Sequence, residues 1–446
     1  MTPKGMEREQ YSLGMGDRFG REGAAQLRAL LVARDLGVQV TPVWNKSNRE
    51  HTIIGTLPED TRRAAEAAVK ACAWDNVYYV DADHIGIATV ERYVGVSDFF
   101  TIDVADFIGR APDQEAAARF LKGMASLKGS HRVQGISRGI EVTEEMLQRV
   151  ARSYVAAIEE AARVYRYLES AKGRGTFITE VSMDEASAAQ PPEELLLVLG
   201  GIALAGIPVH TIAPRFTGSF LKGVDYVGDR EDFAREFEHD IAVLAFAHEM
   251  FGLPRDLRLS IHSGSDKFSL YPLMHRIARK HSTGFHLKTA GTTWLEEVAG
   301  LAAAGGEGLA IAREIYAESY RRFEEMTAPY RSVVAIDRGK LPDPRSVATW
   351  SSQDLVGALR HNPSSEQFNP HLRQLMHVGF KVAAEMGERY TSLLDDYRSV
   401  IEPYVTENIL KNHVEPLFLG RTPTDTREMS AARGDDVRNP TARTAH

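Results

Sequence analysis

Short apolar runs alternate with amphipathic helical segments along most of this chain of 446 residues, and this alternation is what most constrains its fold. Such alternation is typical of parallel sheets built from βα units. We predict strands at 10–15, 38–44, 76–81, 98–103, 175–181, 207–213, 257–262, 284–288 and 374–378. The helical period of apolar positions predicts helices at 22–35, 60–73, 113–126, 143–171, 192–205, 230–252, 271–281, 294–327 and 353–361.

The number of these units favours a closed barrel over an open sheet. Eight or nine βα steps within about 400 residues, with polar residues gathered where strands end, match an α/β fold of the (β/α)8 TIM-barrel type. We therefore predict a barrel-like catalytic domain at 1–366, followed by a C-terminal helical extension at 367–419 that packs across a barrel end. Residues 420–446 contain almost no apolar side chains to offset the entropy of ordering, so we expect a disordered tail there.

Composition limits the possible partners. The net charge of −8 and the absence of a basic run interleaved with aromatics argue against nucleic acid. No segment approaches the roughly 18 uninterrupted apolar residues of a membrane span, so we expect no membrane partner. Cys72 is the only cysteine, which excludes an intramolecular disulfide and suits a cytoplasmic protein. Exposed faces of 143–171 and 367–415 are candidate surfaces for a homo-oligomer.

The clearest chemical signal is an apolar strand at 77–80 that stops abruptly on Asp81, Asp83 and His84. The same pattern recurs where later strands end, at Glu180, His262 and His286. We interpret His84 and His262 as ligands of a divalent metal, with His286 as a weaker third ligand and Glu180 or Asp81 available to complete the coordination sphere. Nitrogen and oxygen ligands without thiolate suit zinc, manganese, nickel or cobalt.

Several charged side chains fall in or just after predicted strand ends and are candidates for binding an anionic substrate. These are the cations Arg18, Lys46, Arg215, Lys222, Lys267 and Lys288. Asp266 is a further candidate substrate-binding residue. Arg215 has the planar fork that grips a carboxylate through two hydrogen bonds, and Lys267 and Lys288 each follow a strand that ends in histidine. A metal, two carboxylates and several cations together predict a small acidic polyol or sugar acid as substrate.

Six sequence blocks resemble those of the tagaturonate epimerase family. They are DADH at 81–84, FTID at 100–103, EVSMDE at 180–185, KGVDY at 222–226, SIHSGSDKFS at 260–269 and FHLKTAGT at 285–292. The resemblance implies a metal-dependent enzyme that interconverts D-tagaturonate and D-fructuronate. By position, it implies that Asp83 is the proton acceptor, that Glu180 is the proton donor, and that His84 and His262 bind the metal.

The chemistry of this reaction leaves two routes open. The two uronates differ at a hydroxyl-bearing carbon β to the ketone, where enolisation cannot invert the configuration. Inversion proceeds either by deprotonation and reprotonation from opposite faces or by retro-aldol cleavage, rotation of the aldehyde and re-addition. A metal favours the second route, because a Lewis acid stabilises the enediolate. Two other classes stay open: a metal-dependent aldolase or ketose isomerase acting on a sugar acid, and a non-catalytic barrel that binds a sugar acid.

Overall fold

The computed structural model describes residues 10–289 and 291–421, and eight parallel strands in this part of the chain close into a barrel. The barrel strands are β1 (Tyr11–Gly16), β2 (Val40–Ser47), β3 (Tyr79–Ile85), β4 (Phe99–Asp103), β7 (Ile178–Ser182), β8 (Thr211–Ala213), β9 (Arg258–Ile261) and β10 (Phe285–Thr289). Their order around the barrel is β1-β2-β3-β4-β7-β8-β9-β10, and β1 pairs in parallel with β10 to close it. The predicted (β/α)8 fold is confirmed.

A small hairpin and a large set of helices surround the barrel. The hairpin consists of β5 (Gly129–His131) and β6 (Ile140–Val142). The helices up to the last barrel strand are α1 (Gly23–Asp35), α2 (Asn48–Ile54), α3 (Pro58–Ala71), α4 (Gln114–Met124), α5 (Glu144–Lys172), α6 (Pro192–Leu204), α7 (Arg230–Phe251) and α8 (Tyr271–Lys280). No helix among the described residues is long and apolar enough to cross a membrane.

The chain after β10 is helical and packs back on the barrel helices. It contains α9 (Thr292–Ala304), α10 (Gly306–Arg321), α11 (Phe323–Thr327), α12 (Pro344–Val347), α13 (Ser352–Leu359), α14 (Pro370–Val378), α15 (Phe380–Met386), α16 (Glu388–Asp396) and α17 (Arg398–Glu407). A π-helical segment, Asn408–Leu419, follows and packs against α1 and α8. The predicted tail lies, from residue 422 onward, outside the described residues.

Eight of the nine predicted strands are present, and the ninth is wrong. Residues 374–378 lie in helix α14, which is buried along nearly its whole length, so its apolar run resembles a buried strand. The helix start is nevertheless marked in the sequence: the Asn369 side chain accepts hydrogen bonds from two backbone N–H groups, and Pro370 follows at the first helical position. The predicted helix at 294–327 is three helices, the first of which ends at Gly305, a residue with a φ of 74°.

The barrel interior is layered, and the layering places the polar side chains at one end. Four apolar residues from neighbouring strands form one layer: Val43, Tyr79, Phe99 and Ile178. Two residues further along each strand, the inward positions are polar: Asn45, Asp81, Thr101 and Glu180. Because side chains alternate between the two faces of a strand, the positions between them point towards the helices, and they are apolar at Trp44, Val80 and Phe100. On these four strands, the interior is therefore apolar and turns polar towards their carboxyl ends.

Candidate active site

Lys288, on β10, lies among three carboxylates in the barrel interior. Its Nζ is 2.7 Å from Asp81 Oδ2, 2.7 Å from Asp83 Oδ1 and 3.2 Å from Glu180 Oε1, and it also donates to the hydroxyl of Thr101. Burial lowers the pKa of Lys288, but the carboxylates outweigh burial and hold that pKa well above its usual value. The ammonium group of Lys288 therefore stays charged, and the side chains of the protein already occupy its hydrogen bonds.

Three carboxylates surround the single positive charge of Lys288, and the raised pKa of Asp81 reduces the negative charge around it. Asp81 is almost fully buried and accepts from the hydroxyl of Thr101 at 3.0 Å. Burial, together with the neighbouring carboxylates and against the effect of Lys288, raises the pKa of Asp81 to about 7. Burial also disfavours ionised Asp83, but Lys288, His84 and His262 outweigh it and hold the pKa of Asp83 below its usual value. Asp83 is thus an ionised carboxylate beside a permanent cation.

His262 is held between two carboxylates. Its Nε2 is 2.7 Å from Glu180 Oε1, and its Nδ1 is 3.3 Å from Asp184 Oδ1. The other oxygen of Glu180 accepts from the Thr211 hydroxyl at 2.8 Å. If Nε2 carries its hydrogen towards Glu180, the lone pair of Nδ1 is left on the side of Asp184.

His84 is turned into the same region by a distortion of β3. Its φ is 51°, and the pairing of β3 with β4 shifts register between Ala82 and Ile85, the mark of a β-bulge. Its Nδ1 lies 3.3 Å from Asp103 Oδ2, and its ring centroid lies 5.1 Å from that of His262. Asp103 thus orients His84 as Glu180 orients His262.

His84, Asp184 and His262, which we call the ligand trio, fit a divalent cation. One ligand atom from each residue lies within 4.8 Å of the others. Two imidazoles and a carboxylate, each imidazole supported by a further carboxylate, are a common donor set for zinc and similar metals. Burial lowers the histidine pKa values, but the surrounding carboxylates raise the pKa of His84 to about 10 and that of His262 to about 9. The same negative surroundings attract a metal cation.

His286 lies elsewhere in the barrel. Its Nδ1 is 2.8 Å from the Ser12 hydroxyl, and its ring packs on Phe99 with centroids 5.4 Å apart. Burial lowers the pKa of His286 to about 3, so the ring is neutral. The structure does not bring His286 into the ligand trio, and the third position is filled instead by Asp184, two residues beyond the end of β7.

A cavity of about 600 Å³ opens at the carboxyl ends of the strands. The ligand trio, Asp83 and Lys288 line it, whereas Glu180 has no exposed surface and lies beneath them. Besides Lys288, four cations from three segments line the cavity: Arg18, Arg49, Arg215 and Lys222. Ionised carboxylates, histidines and cations thus share one chamber.

The predicted substrate-binding residues divide into two groups. Arg18, Arg215, Lys222 and Lys288 line the cavity. Lys46, Asp266 and Lys267 do not, and the structure places them in the supporting framework. Lys46 donates to the Arg18 carbonyl at 2.8 Å, and Asp266 forms a fully buried ion pair with Arg373 at 3.2 Å.

Besides Lys288, two of the cavity cations already have partners. Arg18 pairs with Glu50 at 3.3 Å, and its guanidinium lies 3.7 Å from the centroid of the Phe380 ring. Arg215 donates to the backbone carbonyl of Asp184 at 3.1 Å. Sequence reasoning did not select Arg49 or Asp184 for a role, although Asp184 lies within one of the polar runs that it identified.

The fold and the site define a (β/α)8-barrel enzyme with an acid/base cluster and a candidate metal site at the carboxyl ends of its strands. The model of the tagaturonate epimerase family (UxaE) matches residues 1–415. The chain therefore belongs to the tagaturonate epimerase family, whose members are isomerases of the epimerase class.

Characterised relatives agree with this assignment. The chain is 30% identical over 428 residues to a tagaturonate/fructuronate epimerase of Thermotoga maritima, covering 91% of this chain and 80% of the relative. It is also similar to the glycerol-bound crystal structure of the fructuronate-tagaturonate epimerase UxaE from Cohnella laeviribosi, with a TM-score of 0.77 and 24% identity, over 93% of this chain and 83% of that one. The native crystal structure of the same protein gives a TM-score of 0.75. These two structures support the fold.

Proposed function

We propose that this chain interconverts D-tagaturonate and D-fructuronate, or a closely related ketose acid, with a divalent metal as cofactor. The observation that carries the proposal is the ligand trio opening into the same cavity as Asp83 and several cations, in a member of the tagaturonate epimerase family. A ketose acid matches such a cavity, because it combines oxygens that suit a metal with a carboxylate that suits a cation.

The metal would be held by His84, Asp184 and His262, with zinc, manganese, nickel and cobalt as the candidates. When bound there, it would supply Lewis-acid stabilisation of negative charge on the substrate. Glu180 and Asp103 would fix the orientation of the two imidazoles through their hydrogen bonds.

Asp83 is the residue that we assign to the hydroxyl proton of the substrate. It lines the cavity, lies next to His84 in the chain and is ionised, so its carboxylate can accept a proton. In the retro-aldol route, Asp83 removes this proton and the hydroxyl becomes an aldehyde carbonyl. At the same time the carbon–carbon bond towards the ketone breaks, and the electrons of that bond pass to the ketone. Rotation of the aldehyde and reversal of these steps give the epimer and return the proton. No redox cofactor is required.

Glu180 is placed differently from the proton donor that the family resemblance implies. It lies below the cavity, and its two oxygens are engaged by His262, Lys288, Thr101 and Thr211. These contacts favour a positioning role, in which Glu180 acts on the substrate through His262.

The proposal is tested by metal analysis of the purified protein and an NMR time course with D-tagaturonate, before and after chelation. Appearance of D-fructuronate that stops on chelation and resumes when metal is restored is the expected result. Bound metal without turnover would contradict the substrate assignment, and turnover that survives removal of all metal would contradict the cofactor. Accumulation of free aldehyde fragments would indicate an aldolase instead.

A further inference from the structure

We propose that Lys222 and Arg49, both near the Tyr330 ring, form the carboxylate-binding end of the cavity. We call these three residues the roof. The inference rests on the proposed function and adds the place where the acid group of the substrate is bound.

The two roof cations are available to a ligand. Both line the cavity, and within the described part of the chain neither the Lys222 ammonium nor the Arg49 guanidinium has a hydrogen bond or an ion pair. Their contact is with Tyr330: Lys222 Nζ lies 6.0 Å and the Arg49 guanidinium carbon 5.1 Å from the centroid of its ring. By contrast, Lys288 is surrounded by carboxylates.

Barrel topology places these two cations on opposite walls. Arg49 is in α2, directly after β2, and Lys222 is in the loop after β8. In the order around the barrel, β2 and β8 are separated by three strands on either side. Tyr330, from the segment between α11 and α12, lines the cavity with both cations, so the two cations converge on one ring.

The backbone around Lys222 is fixed by buried cations. Lys267 Nζ donates to the carbonyls of Leu221 and Val224 at 2.8 Å each, and Arg373 Nε donates to the carbonyl of Gly223 at 2.6 Å. The Lys222 N–H donates to the carbonyl of Val333, in the same segment as Tyr330, at 2.8 Å.

This framework explains why Lys267 and Asp266 are buried away from the cavity. Lys267 hydrogen-bonds to the loop that carries Lys222. Asp266 pairs with Arg373, which donates to the Gly223 carbonyl in the same loop. A bare lysine on a surface loop would sample many rotamers over a mobile backbone. Here the backbone is fixed, so an ammonium at this position loses less entropy when it binds an anion.

Charge complementarity sets the orientation of the substrate. At the interior end, the positive charge of Lys288 is already paired with the carboxylates of Asp81, Asp83 and Glu180, whereas the roof presents two cations without ion pairs. Two cations near one ring, each without an ion pair of its own, suit the binding of a carboxylate. A ketose acid therefore binds with its carboxylate at the roof and its ketone and hydroxyl groups towards Asp83 and the ligand trio.

The test compares Lys222→Met and Arg49→Met with the parent protein, using D-tagaturonate and its neutral counterpart D-tagatose. Dissociation constants are measured by calorimetry on the metal-loaded protein in an Asp83→Asn background, which slows turnover. Each substitution is expected to weaken tagaturonate binding by about 10-fold or more, the loss of one charge-assisted hydrogen bond, and to change tagatose binding less than 2-fold. Lys122→Met, at an exposed position on α4, removes the same charge away from the cavity and is expected to change neither.

The outcomes separate the two proposals. Equal tagaturonate affinity in the roof variants and the parent overturns the roof, as does an equal loss for both sugars, while D-tagaturonate turnover by the unmodified enzyme still supports the proposed function. An unmodified enzyme that neither binds nor turns over D-tagaturonate overturns both. Circular dichroism and thermal melting of each variant identify any loss that arises from misfolding.

Discussion

Glu180 Oε1 lies 2.7 Å from His262 Nε2, and this contact links a carboxylate below the cavity to a histidine that lines it. The arrangement resembles the carboxylate–histidine pairs that support bound metals, in which the carboxylate fixes the tautomer and the orientation of the ring. It gives Glu180 a function that does not require contact with substrate.

Replacing Glu180 with Gln is therefore expected to weaken metal binding. Loss of such a supporting carboxylate typically lowers metal affinity about 10- to 100-fold, and competition with a chromogenic chelator measures the change. Glu185→Gln, an exposed cavity position next to Asp184, is the matched control and is expected to leave metal affinity unchanged. Normal metal affinity with lost turnover in Glu180→Gln would instead favour the proton-donor role.

Asp184 and His286 give opposite predictions for metal content. Asp184→Ala removes one member of the ligand trio, so the purified protein is expected to lose most of its metal as measured by elemental mass spectrometry. His286→Gln leaves the trio intact and is expected to retain metal, with a stability loss of about 1 kcal/mol from the altered contact with Ser12. A metal-depleted His286→Gln protein that folds normally would show that His286 is a ligand after all.

Asp83→Asn is expected to lower kcat by about 10²–10⁴-fold, the usual contribution of a general acid or base. Because Asp83 is not a member of the ligand trio, metal content is expected to stay at the level of the parent. A kcat within 3-fold of the parent would exclude Asp83 as the proton acceptor.

The route of inversion is accessible with labelled substrate. The retro-aldol route never breaks the C–H bond at the inverted carbon, so deuterium placed there is expected to remain in the product, as read by NMR in ordinary water. Loss of the label to solvent in step with turnover would establish deprotonation and reprotonation instead.

The barrel could be predicted from the sequence because each strand is encoded by a short, continuous stretch of residues. Each strand is a short apolar run with an alternating pattern, and Asp83, His84 and His262 are at strand ends where parallel strands bring their side chains together. The family resemblance implied acid/base roles for Asp83 and Glu180, and these roles stay predictions.

What could not be predicted depends on contacts between distant segments. Asp184 lies beyond its strand and becomes a candidate ligand only because the loop after β7 brings it to His262. Lys267 looked like a substrate cation, but three backbone carbonyls take up its hydrogens. Arg49 and Tyr330 are far apart in the sequence but lie close together in the fold, and no local pattern relates them.

Glu296, on α9, connects the barrel helices to the π-helical segment and provides a test of pH dependence. Its Oε1 accepts from the Asn408 amide at 3.1 Å, and its Oε2 has no hydrogen-bond partner among the described residues. Burial, opposed by Arg373 and Arg360, raises the pKa of Glu296 from 4.5 to about 7. The folded state therefore binds this proton more tightly than the unfolded state does.

The sign of the effect follows from this difference. Between pH 4.5 and about 7, the folded protein holds more protons at Glu296 than the unfolded chain, so this residue makes stability fall as pH rises through that window. Glu296→Gln keeps the acceptor to Asn408 and removes the ionisation. Its melting temperature relative to the parent is expected to increase from pH 5 to pH 8 by several degrees and then to level off. Melting curves at a fixed scan rate across that range measure the difference, and a gap that is constant with pH would show that Glu296 ionises equally easily in both states.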